Sequence, residues 1–583
     1  MFRENKQHLQ KSLLSTVSFL SQTVKKLLEN SWAVIFYNRI FVKIEEKKFS
    51  VLYSNKKSRP NFPVNVWVGL EILKALFDWT DEEMLLSFHF DLLTCYALGI
   101  ENLGELTLAP RTIYYNRRRL LQYEAATGVS LLEEVFSQVT DDAIRALGID
   151  TCIQRMDSSM ISSNIKKMSR LELLVKVLQN LYRDLPEEEQ AKHREKVKDY
   201  IDAEAGTVSY KLKRSELNFQ LQKLGELLFY FYKLYETNAK VNSLRSYRHV
   251  GRVLREQFDL ELKGSASPVD EPKTSLRVKP PEEIRSDVLQ NPADEEATFH
   301  RKNDQSYQGY TFNITESCSP TSQVRLITDI AVVTNNTSDE KILTERLPEI
   351  KRKTSLNELV VDASYSGAAV EKLCEEEKVT LYHTGIKGSP LSVDRLSLKD
   401  FQFKGTQISF CPNGVRPTDQ RTHPETCRHV VRFDKERCST CPLAPRCPVQ
   451  ERRHFYSLYF TEQQMRVAQK RQQFDSDLYR SKQRLRPAVE GTISQFKWRT
   501  RNGKLRVRGL RRVSHMVVLM AIAINFRRIR AALLPFSFPP QRISDIFFQL
   551  LSWTAKMRGS LRKLINPLSQ VFKSYDLNPL FLQ

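Results

Sequence analysis

The spacing of apolar residues predicts helices over much of the chain. Apolar stripes at helical spacing run through residues 61–146, as in Val66–Phe77. Leu108–Leu120 has the pattern of a helix start with Pro110 in the first turn, where its missing N–H costs no hydrogen bond. Leucines among many charged residues extend the helical pattern through 164–262. Further helices are predicted at 368–377, 462–500 and 515–533.

Runs of β-branched and apolar residues bounded by turn residues predict strands. One such run, within 147–163, can be a strand that ends near Asp157. Another, a short apolar run that begins at Glu358 and ends in Asp362, is predicted to be a buried strand that delivers this carboxylate to its C-terminal edge. The remaining predicted strands are 309–315, 324–334 and 379–383. Strands mixed with helices predict a mixed α/β fold.

A chain of 583 residues is too long for one small core, so several domains are expected. Residues 147–163 are the first part of an α/β domain, which the later strands and helices complete. A long helical segment and a linker rich in Pro, Ser, Asp and Glu interrupt it. The chain is predicted to begin with an extension (1–60) and a helical domain (61–146). The α/β domain follows in three parts (147–163, 298–403 and 451–533). Its parts are separated by the helical insertion with its linker (164–297, the linker being 263–297) and by a cysteine-rich segment (404–450), and a tail (534–583) ends the chain.

The net charge of +22 indicates a polyanionic partner, either nucleic acid or an anionic membrane surface. A membrane span is not expected, because the most apolar run, Met516–Phe526, is too short to cross a bilayer. The polar N-terminus has no secretory signal with a small-residue cleavage site, which predicts a protein that is cytosolic, or nuclear in a eukaryote.

Glu490 is the only acidic residue between Leu478 and Arg530, a stretch that carries fifteen Lys and Arg. Such a stretch suits a phosphate backbone, and a lone carboxylate there can hold a divalent metal against that phosphate. If the segment is one helix, Arg486, Glu490 and Lys497 share a face. The alternative is an exposed helix with an ordinary Arg–Glu pair four residues apart.

Asp157, Asp362 and Glu490 together form the set of carboxylates that two-metal phosphoryl transfer requires. Mg²⁺ prefers hard oxygen ligands of this kind, and Mn²⁺ can replace it. The three acids can lie far apart in sequence, because the fold brings them together.

At these residues the chain resembles bacterial insertion-sequence transposases of the DDE type, over about residues 61–530. Asp157 in Arg-Met-Asp-Ser-Ser matches the family's first acid, Asp362 in Asp-Ala-Ser-Tyr its second and Glu490 its third. Ser364 replaces a glycine of the family pattern, while Tyr365 is kept. The basic partners of the third acid match Arg486 and Lys497, but Gln483 stands where a tyrosine is expected and Tyr479 lies one turn earlier.

The resemblance implies a ribonuclease-H-like catalytic domain with a large helical insertion, preceded by an all-helical DNA-binding domain. It implies Mg²⁺ or Mn²⁺ on the three acids, and binding of terminal inverted repeats and target DNA. It also implies a homodimer on DNA in the bacterial cytoplasm, without a membrane. The residues expected to contact DNA are Arg486, Lys497, Arg111, Arg117, Arg118 and Arg119. A catalytically inactive DNA-binding relative and a nuclease of the same fold remain alternatives.

Each acid also has an ordinary alternative role. Asp157 and Asp362 can cap helices that follow them, and Asp150 can replace Asp157 as the first acid. Asp329 and Asp304 are set aside, because one lies within a predicted strand and the other in a polar loop.

Five of the nine cysteines crowd into residues 411–447, and in a reducing compartment such crowding suggests a metal site. Four thiolates suit a structural Zn²⁺, with His423, His429 and His454 as substitute ligands. The alternative is a loop with free thiols. The crowded cysteines are Cys411, Cys427, Cys438, Cys441 and Cys447; the others, Cys95, Cys152, Cys318 and Cys374, are predicted to be small buried residues.

Overall fold

A computed structural model describes the chain as far as Leu534, with short gaps. The residues outside the description are 11–13, 55, 57, 203, 211–212, 263–273, 303, 386–393, 424–427, 501–502 and 535–583. Cys427 and nearly all of the predicted C-terminal tail are among them. The chain divides into two compact units, Met1–Arg528 and Ile529–Gln583.

Helices contribute more residues to the described chain than strands do. In chain order they are α1 (Gln22–Glu29), α2 (Trp32–Arg39), α3 (Val64–Phe77), α4 (Asp81–Phe90), α5 (Leu92–Ala97), α6 (Pro110–Thr127), α7 (Leu131–Leu147), α8 (Arg170–Asp184), α9 (Glu187–Ile201), α10 (Ala205–Tyr210), α11 (Leu217–Leu234), α12 (Ala239–Asn242), α13 (Arg245–Gln257), α14 (Asp339–Lys353), α15 (Ala368–Glu376), α16 (Lys435–Ser439), α17 (Glu462–Phe474), α18 (Asp477–Gln483), α19 (Val489–Lys497) and α20 (Leu510–Leu533). No helix of the described residues is long and apolar enough to cross a membrane.

The strands form one large sheet and three smaller ones. In chain order they are β1 (Ile153–Ile161), β2 (Phe258–Leu262), β3 (Thr274–Val278), β4 (Thr298–Lys302), β5 (Gln305–Ser317), β6 (Ile327–Thr334), β7 (Glu358–Val361), β8 (Thr380–His383), β9 (Gln402–Lys404), β10 (Gln407–Phe410), β11 (Asp419–Thr422), β12 (Arg428–Phe433), β13 (Gln450–Glu451) and β14 (Tyr456–Thr461).

The large sheet runs in the order β4-β5-β1-β7-β8, with β6 also paired to β5. β1 is antiparallel to β5 and parallel to β7, and β7 is parallel to β8. The mixed α/β prediction is confirmed, and the fold is compatible with a ribonuclease-H-like domain. Gly309 lies where the partner of β5 changes from β4 to β6; its φ is +145°, and a Cβ there would stand 2.6 Å from the carbonyl oxygen of Ile161. Glycine therefore allows this close approach.

Each face of the sheet packs against helices. On one face, Met156 of β1 contacts a core that α14 supplies with Leu343, Leu347 and Ile350. The other face belongs to a larger core shared with α19, α20 and the N-terminal helices. In that core the rings of Phe36 and Phe526 lie 5.2 Å apart. Residues from the predicted N-terminal extension thus pack together with the helix that ends the described chain.

The helical insertion has a core of its own, made by α8, α11 and α13. Phe258 at the start of β2 packs so closely on α11 that a Cβ on Gly225 would lie 2.3 Å from its ring. The hairpin of β2 and β3 completes this core with Leu276. The prediction of helices over 164–262 is confirmed, with β2 at the end of the range.

Three element predictions are wrong. β1 does not end near Asp157 but continues to Ile161, because its second half pairs with β5. The predicted helix 462–500 is three helices, α17 to α19, since Ser476 caps the second and Pro487 precedes the third. The linker 263–297 contains β3 and the buried Asp294, which accepts a hydrogen bond of 2.6 Å from the hydroxyl of Tyr310.

Candidate active site

Asp157 lies in the middle of the central strand, with 8% of its surface exposed. One carboxylate oxygen accepts the backbone N–H of Ser158 at 2.9 Å. Burial raises the pKa of Asp157; Arg486 acts in the opposite direction, and the neighbouring Asp362 and Asp339 raise the pKa further. Because burial disfavours the ionised form of Asp157, a cation placed beside it stabilises that form.

Asp362 follows the last residue of β7, as the sequence predicts. Because β7 is parallel to β1 in the sheet, Asp362 leaves it beside the first acid. Its carboxylate accepts the N–H of Ala363 and caps a single 3-10 turn, so the capping alternative is realised in a short form. Tyr365 in that turn is fully buried, and its hydroxyl accepts a hydrogen bond of 2.6 Å from Asn313 of β5. The tyrosine kept from the family pattern thus fixes the turn that carries Asp362.

Glu490 is the second residue of α19, and 67% of its side chain is exposed. The adjacent Val489 and Phe496 are buried against the sheet, so the helix is held while the carboxylate projects outward. Lys497 is exposed two turns further along the same helix. Arg486 lies before α19 rather than on it, although the pair with Glu490 forms as predicted.

Arg486 connects the three acids. One guanidinium nitrogen lies 3.0 Å from Asp157 and 3.6 Å from Asp362, and the other lies 3.3 Å from Glu490. Residues from a central strand, a strand end and a helix therefore converge on one cation. The guanidinium occupies the space between the carboxylates and partly neutralises them.

Asp339 is a fourth carboxylate at this place, and sequence reasoning missed it. It begins α14, and it accepts a hydrogen bond of 2.6 Å from the hydroxyl of Ser158, the residue after Asp157. Its signal in the sequence was weak, since Ser338-Asp339-Glu340 is an ordinary helix start with acidic residues in the first turn.

A buried ionic network holds α19 and the segment before it on the sheet. Glu316 of β5 is fully buried and accepts hydrogen bonds from Arg155 at 2.7 Å, Thr492 at 2.7 Å and Arg528 at 2.8 Å. Arg155 also donates to the carbonyl of Leu485, one residue before Arg486. The strand that carries Asp157 is thereby joined directly to the segment that carries Arg486 and Glu490.

The departures from the family pattern at Tyr479 and Gln483 have a structural explanation. The Tyr479 hydroxyl accepts the backbone N–H of His383 at 2.8 Å, and the Gln483 amide donates to the carbonyl of the same residue at 2.9 Å. Both side chains therefore fix α18 to the end of β8.

The sequence predicts four further DNA contacts outside this cluster, at Arg111, Arg117, Arg118 and Arg119. Arg118 and Arg119 are exposed on α6, and Arg111 at its start is exposed and donates to the Tyr115 hydroxyl at 2.7 Å. Arg117 points inward instead: it donates to Glu71 at 2.7 Å and to Asp81 at 2.7 Å. Its guanidinium is held by two carboxylates, and the prediction that it binds DNA is corrected accordingly.

The other candidate acids lie elsewhere. Asp150 accepts hydrogen bonds from the N–H of Cys152 and the hydroxyl of Ser319, and so supports a loop before the first strand. Asp329 is buried beside Arg346, and Asp304 forms the exposed turn between β4 and β5. The structure thus brings Asp157, and not Asp150, to the other two acids.

The cysteine-rich segment has a small core around Phe401, Phe433 and Phe460. Four of its cysteines, Cys411, Cys438, Cys441 and Cys447, line one cavity. Burial raises the pKa of Cys438 to about 11, and the other three thiols act in the same direction. The N–H of Val415 donates to the sulfur of Cys411 at 3.3 Å. His429 stacks on Phe460 rather than lining this cavity.

Among the described residues, no three or more His, Cys, Asp or Glu side chains stand in a group that could hold a metal ion as they are placed. At the acidic cluster the reason is visible, because the guanidinium of Arg486 separates the carboxylates.

Comparison with known proteins gives one match. Residues 410–530 match the family model of a transposase DDE domain, whereas no curated protein and no solved structure matches the chain. The matched segment contains Arg486, Glu490 and Lys497, and it begins one residue before Cys411, the first cysteine of the cysteine-rich segment. This match supports a DDE transposase, and hence at the coarse level a metal-dependent enzyme that cleaves DNA.

Proposed function

We propose that the protein is a DNA transposase that binds the terminal inverted repeats of a mobile element and cuts and joins DNA strands at its ends. The observation that carries the proposal is the convergence of Asp157, Asp362 and Glu490 on the single guanidinium of Arg486. Three acids from distant parts of the chain meet beside the most basic stretch of the sequence. Acids in such an arrangement are suited to bind divalent cations next to a phosphate backbone.

The carboxylates of Asp157, Asp362 and Glu490 are hard oxygen donors and fit Mg²⁺ or Mn²⁺. Two such ions, when bound, stabilise the attacking and leaving oxygens of an in-line displacement at phosphorus. Arg486 must leave the centre of the acids to make room, and the nearest anion it can then bind is the DNA phosphate. Lys497, exposed on the same helix as Glu490, can hold the strand beside it.

The test is cleavage of end DNA by Asp157→Asn, Asp362→Asn and Glu490→Gln. Each substitution removes one carboxylate with little change in shape, so we expect loss of Mg²⁺-dependent cleavage with DNA binding largely intact. Asp150→Asn is the matched control, because that residue lies outside the cluster. Cleavage near the wild-type rate in any of the three variants would remove that residue from the site.

Strand joining separates the proposed transposase from its alternatives. A nuclease of the same fold would cut end DNA and release the products without joining them. An inactive relative would bind ends without cutting. The proposal also includes a homodimer on DNA in a bacterial cytoplasm. Sedimentation of the protein with and without a terminal-repeat duplex measures whether the homodimer forms.

The cysteine-rich segment is proposed to hold one structural Zn²⁺ on Cys411, Cys438, Cys441 and Cys447. These four thiols line one cavity, and the N–H that points at the Cys411 sulfur would stabilise a thiolate. A bound Zn²⁺ would keep Cys438 and Cys447 deprotonated despite the burial that raises the pKa of these two thiols.

Elemental analysis of protein purified without chelator tests the zinc proposal. We expect about one Zn²⁺ per chain and, after its removal, a lower unfolding temperature. Cys374→Ser is the control, since this cysteine is buried in another core. Zinc-free protein whose thiols in this segment react freely in the native state would leave the segment as a loop with free thiols.

A further inference from the structure

A large cavity lies where the helical insertion meets the edge of the catalytic sheet. Its walls come from the starts of α8 and α11, the segment after β3, and the β4–β5 hairpin. The lining contains four cations and several amides, and no Asp or Glu of the described residues. The charged lining residues are Arg170, Lys279, Arg285 and Arg301.

Arg170 differs from the other three cations. Lys279 has Asp259 within 3.6 Å, Arg285 has Asp287 within 2.6 Å, and Arg301 has Asp304 within 2.9 Å. Among the described residues, no carboxylate lies within ion-pair distance of Arg170.

The guanidinium of Arg170 donates instead to two backbone carbonyls, those of Lys279 at 2.6 Å and Gln257 at 2.5 Å. Its Nε has no partner among the described atoms, and burial lowers its pKa. A cation in this condition is stabilised by an incoming anion.

Two buried amides of the same lining add hydrogen-bond acceptors. Gln257 is 3% exposed and Gln308 is 9% exposed, and the Oε1 atom of each is without a donor among the described residues. Buried acceptors of this kind are normally satisfied. A ligand for this cavity should therefore combine an anion for Arg170 with N–H donors for the amides.

A nucleotide has both features, because its phosphate is anionic and its base carries amino and imino donors. The amino and imino donors of the Watson–Crick edge are free to bind amides only where the base is unpaired, so the chemistry favours a single strand over a duplex. The ring of Phe299 also lines the cavity and offers an apolar surface to a base.

The position of the cavity relative to the acids supports this ligand. Gln308 lies on β5 six residues before Ile314, which pairs with Asp157. At about 3.3 Å per residue, the two places are about 20 Å apart along the strand. A strand within a duplex advances about 3.4 Å per nucleotide, so about six nucleotides of paired DNA between the two places span this distance.

We propose that this cavity binds an unpaired segment of a DNA strand, roughly six nucleotides from the phosphate at the acidic cluster. The proposal rests on the proposed transposase function. The helical insertion would then hold a strand end that has opened beside the site of cleavage.

Binding of a fluorescent twelve-nucleotide single strand and of the matching duplex tests the proposal, using the full chain with Asp157→Asn to prevent cleavage. Loss of a charge-assisted hydrogen bond predicts that Arg170→Ala weakens single-strand binding about tenfold. Binding of the duplex should change less. Arg183→Ala is the control, because Arg183 is an exposed arginine on the same helix.

Photo-crosslinking of protein with an unaltered cavity gives an independent measurement, since Arg170→Ala also removes two hydrogen bonds within the insertion. A strand that carries 4-thiothymidine should crosslink to residues 168–173 and 278–290. Crosslinks confined to other regions, or an equal loss in Arg183→Ala, would overturn the cavity proposal. Failure of the protein to bind either DNA would instead overturn the proposed function itself.

Discussion

At the scale of single residues, the placement of Arg486 determines what the acidic cluster can bind. Its guanidinium contacts all three acids, so a divalent cation must compete with a charge that is already present. An opposite charge this close to a carboxylate stabilises its ionised form substantially. Under the proposed function, the same arginine binds phosphate when a metal takes its place.

Arg486→Gln should therefore bind Mn²⁺ more tightly than the wild type in the absence of DNA, by about tenfold. Cleavage of DNA should fall, because the contact to phosphate is lost. Calorimetry or the paramagnetic signal of free Mn²⁺ measures the affinity, and the exposed Arg484→Gln is the control. Equal Mn²⁺ affinity in wild type and variant would contradict competition between the arginine and the metal.

The sequence predicted the three acids and their basic partners, but it did not predict that Arg486 lies between the acids. The spacing of Arg486 and Glu490 is a local signal, whereas the contacts of Arg486 with Asp157 and Asp362 depend on the sheet. Asp339 was missed for the same reason, since only the tertiary fold brings the start of α14 to Ser158. Asp157 was assigned to a strand end, because its local run cannot show that β5 continues the pairing.

At the scale of elements, ion pairs decide which basic residues remain available. Arg117 on α6 joins α3 through Glu71 and α4 through Asp81, while the adjacent Arg118 is exposed. Burial alone would raise the pKa of Asp81, but hydrogen bonds from Arg117 and Lys74 lower it below its usual range. Of the three consecutive arginines, Arg117 is thus an internal cation, whereas Arg118 and Arg119 are surface cations. Composition alone cannot distinguish the internal arginine from the exposed ones.

Arg117→Ala should lower the free energy of unfolding by about 3 kcal/mol at neutral pH, because it leaves Glu71 buried and unpaired. Arg118→Ala should leave stability unchanged and weaken DNA binding. The lowered pKa of Asp81 stabilises the fold above the pKa of the unfolded state, and this contribution is lost as the pH falls through the folded value. Denaturant unfolding should therefore show that Arg117→Ala loses less unfolding free energy, relative to the wild type, in acid than at neutral pH, with Arg118→Ala as the control. An equal loss of unfolding free energy at all pH values would contradict the ion pair between Arg117 and Asp81 as its cause.

The buried network around Glu316 joins a helix to two strands, just as Arg486 joins the three acids. It fixes α19 to β1 and β5 through Arg155 and Thr492, which explains how a mostly exposed Glu490 keeps its place. Apolar periodicity predicted the helix and the strands separately. It could not predict their junction, because a buried ionic network has no period in the sequence.

At the scale of the whole molecule, the net charge of +22 predicts DNA binding that weakens steeply with salt. Each neutralised phosphate contributes a slope of about −0.9 in log K against log salt concentration. Arg486→Ala with Lys497→Ala should flatten the slope by roughly two units and reduce cleavage more than binding. Titrations of end DNA at several salt concentrations measure this, and a double variant that lost end preference but kept its slope would contradict phosphate contact by these two residues and assign sequence recognition to them.

The core shared by the N-terminal helices and α20 has a consequence for synthesis of the protein. Phe36 of α2 packs on Phe526, and Leu76 at the end of α3 accepts a hydrogen bond from Arg527. α2 and α3 leave the ribosome before α20 and must therefore wait for it before their core closes. The insertion, whose core is drawn from Leu171 to Leu289, can fold while translation continues. A chain interrupted before α20 would leave the apolar surface of this shared core exposed to water.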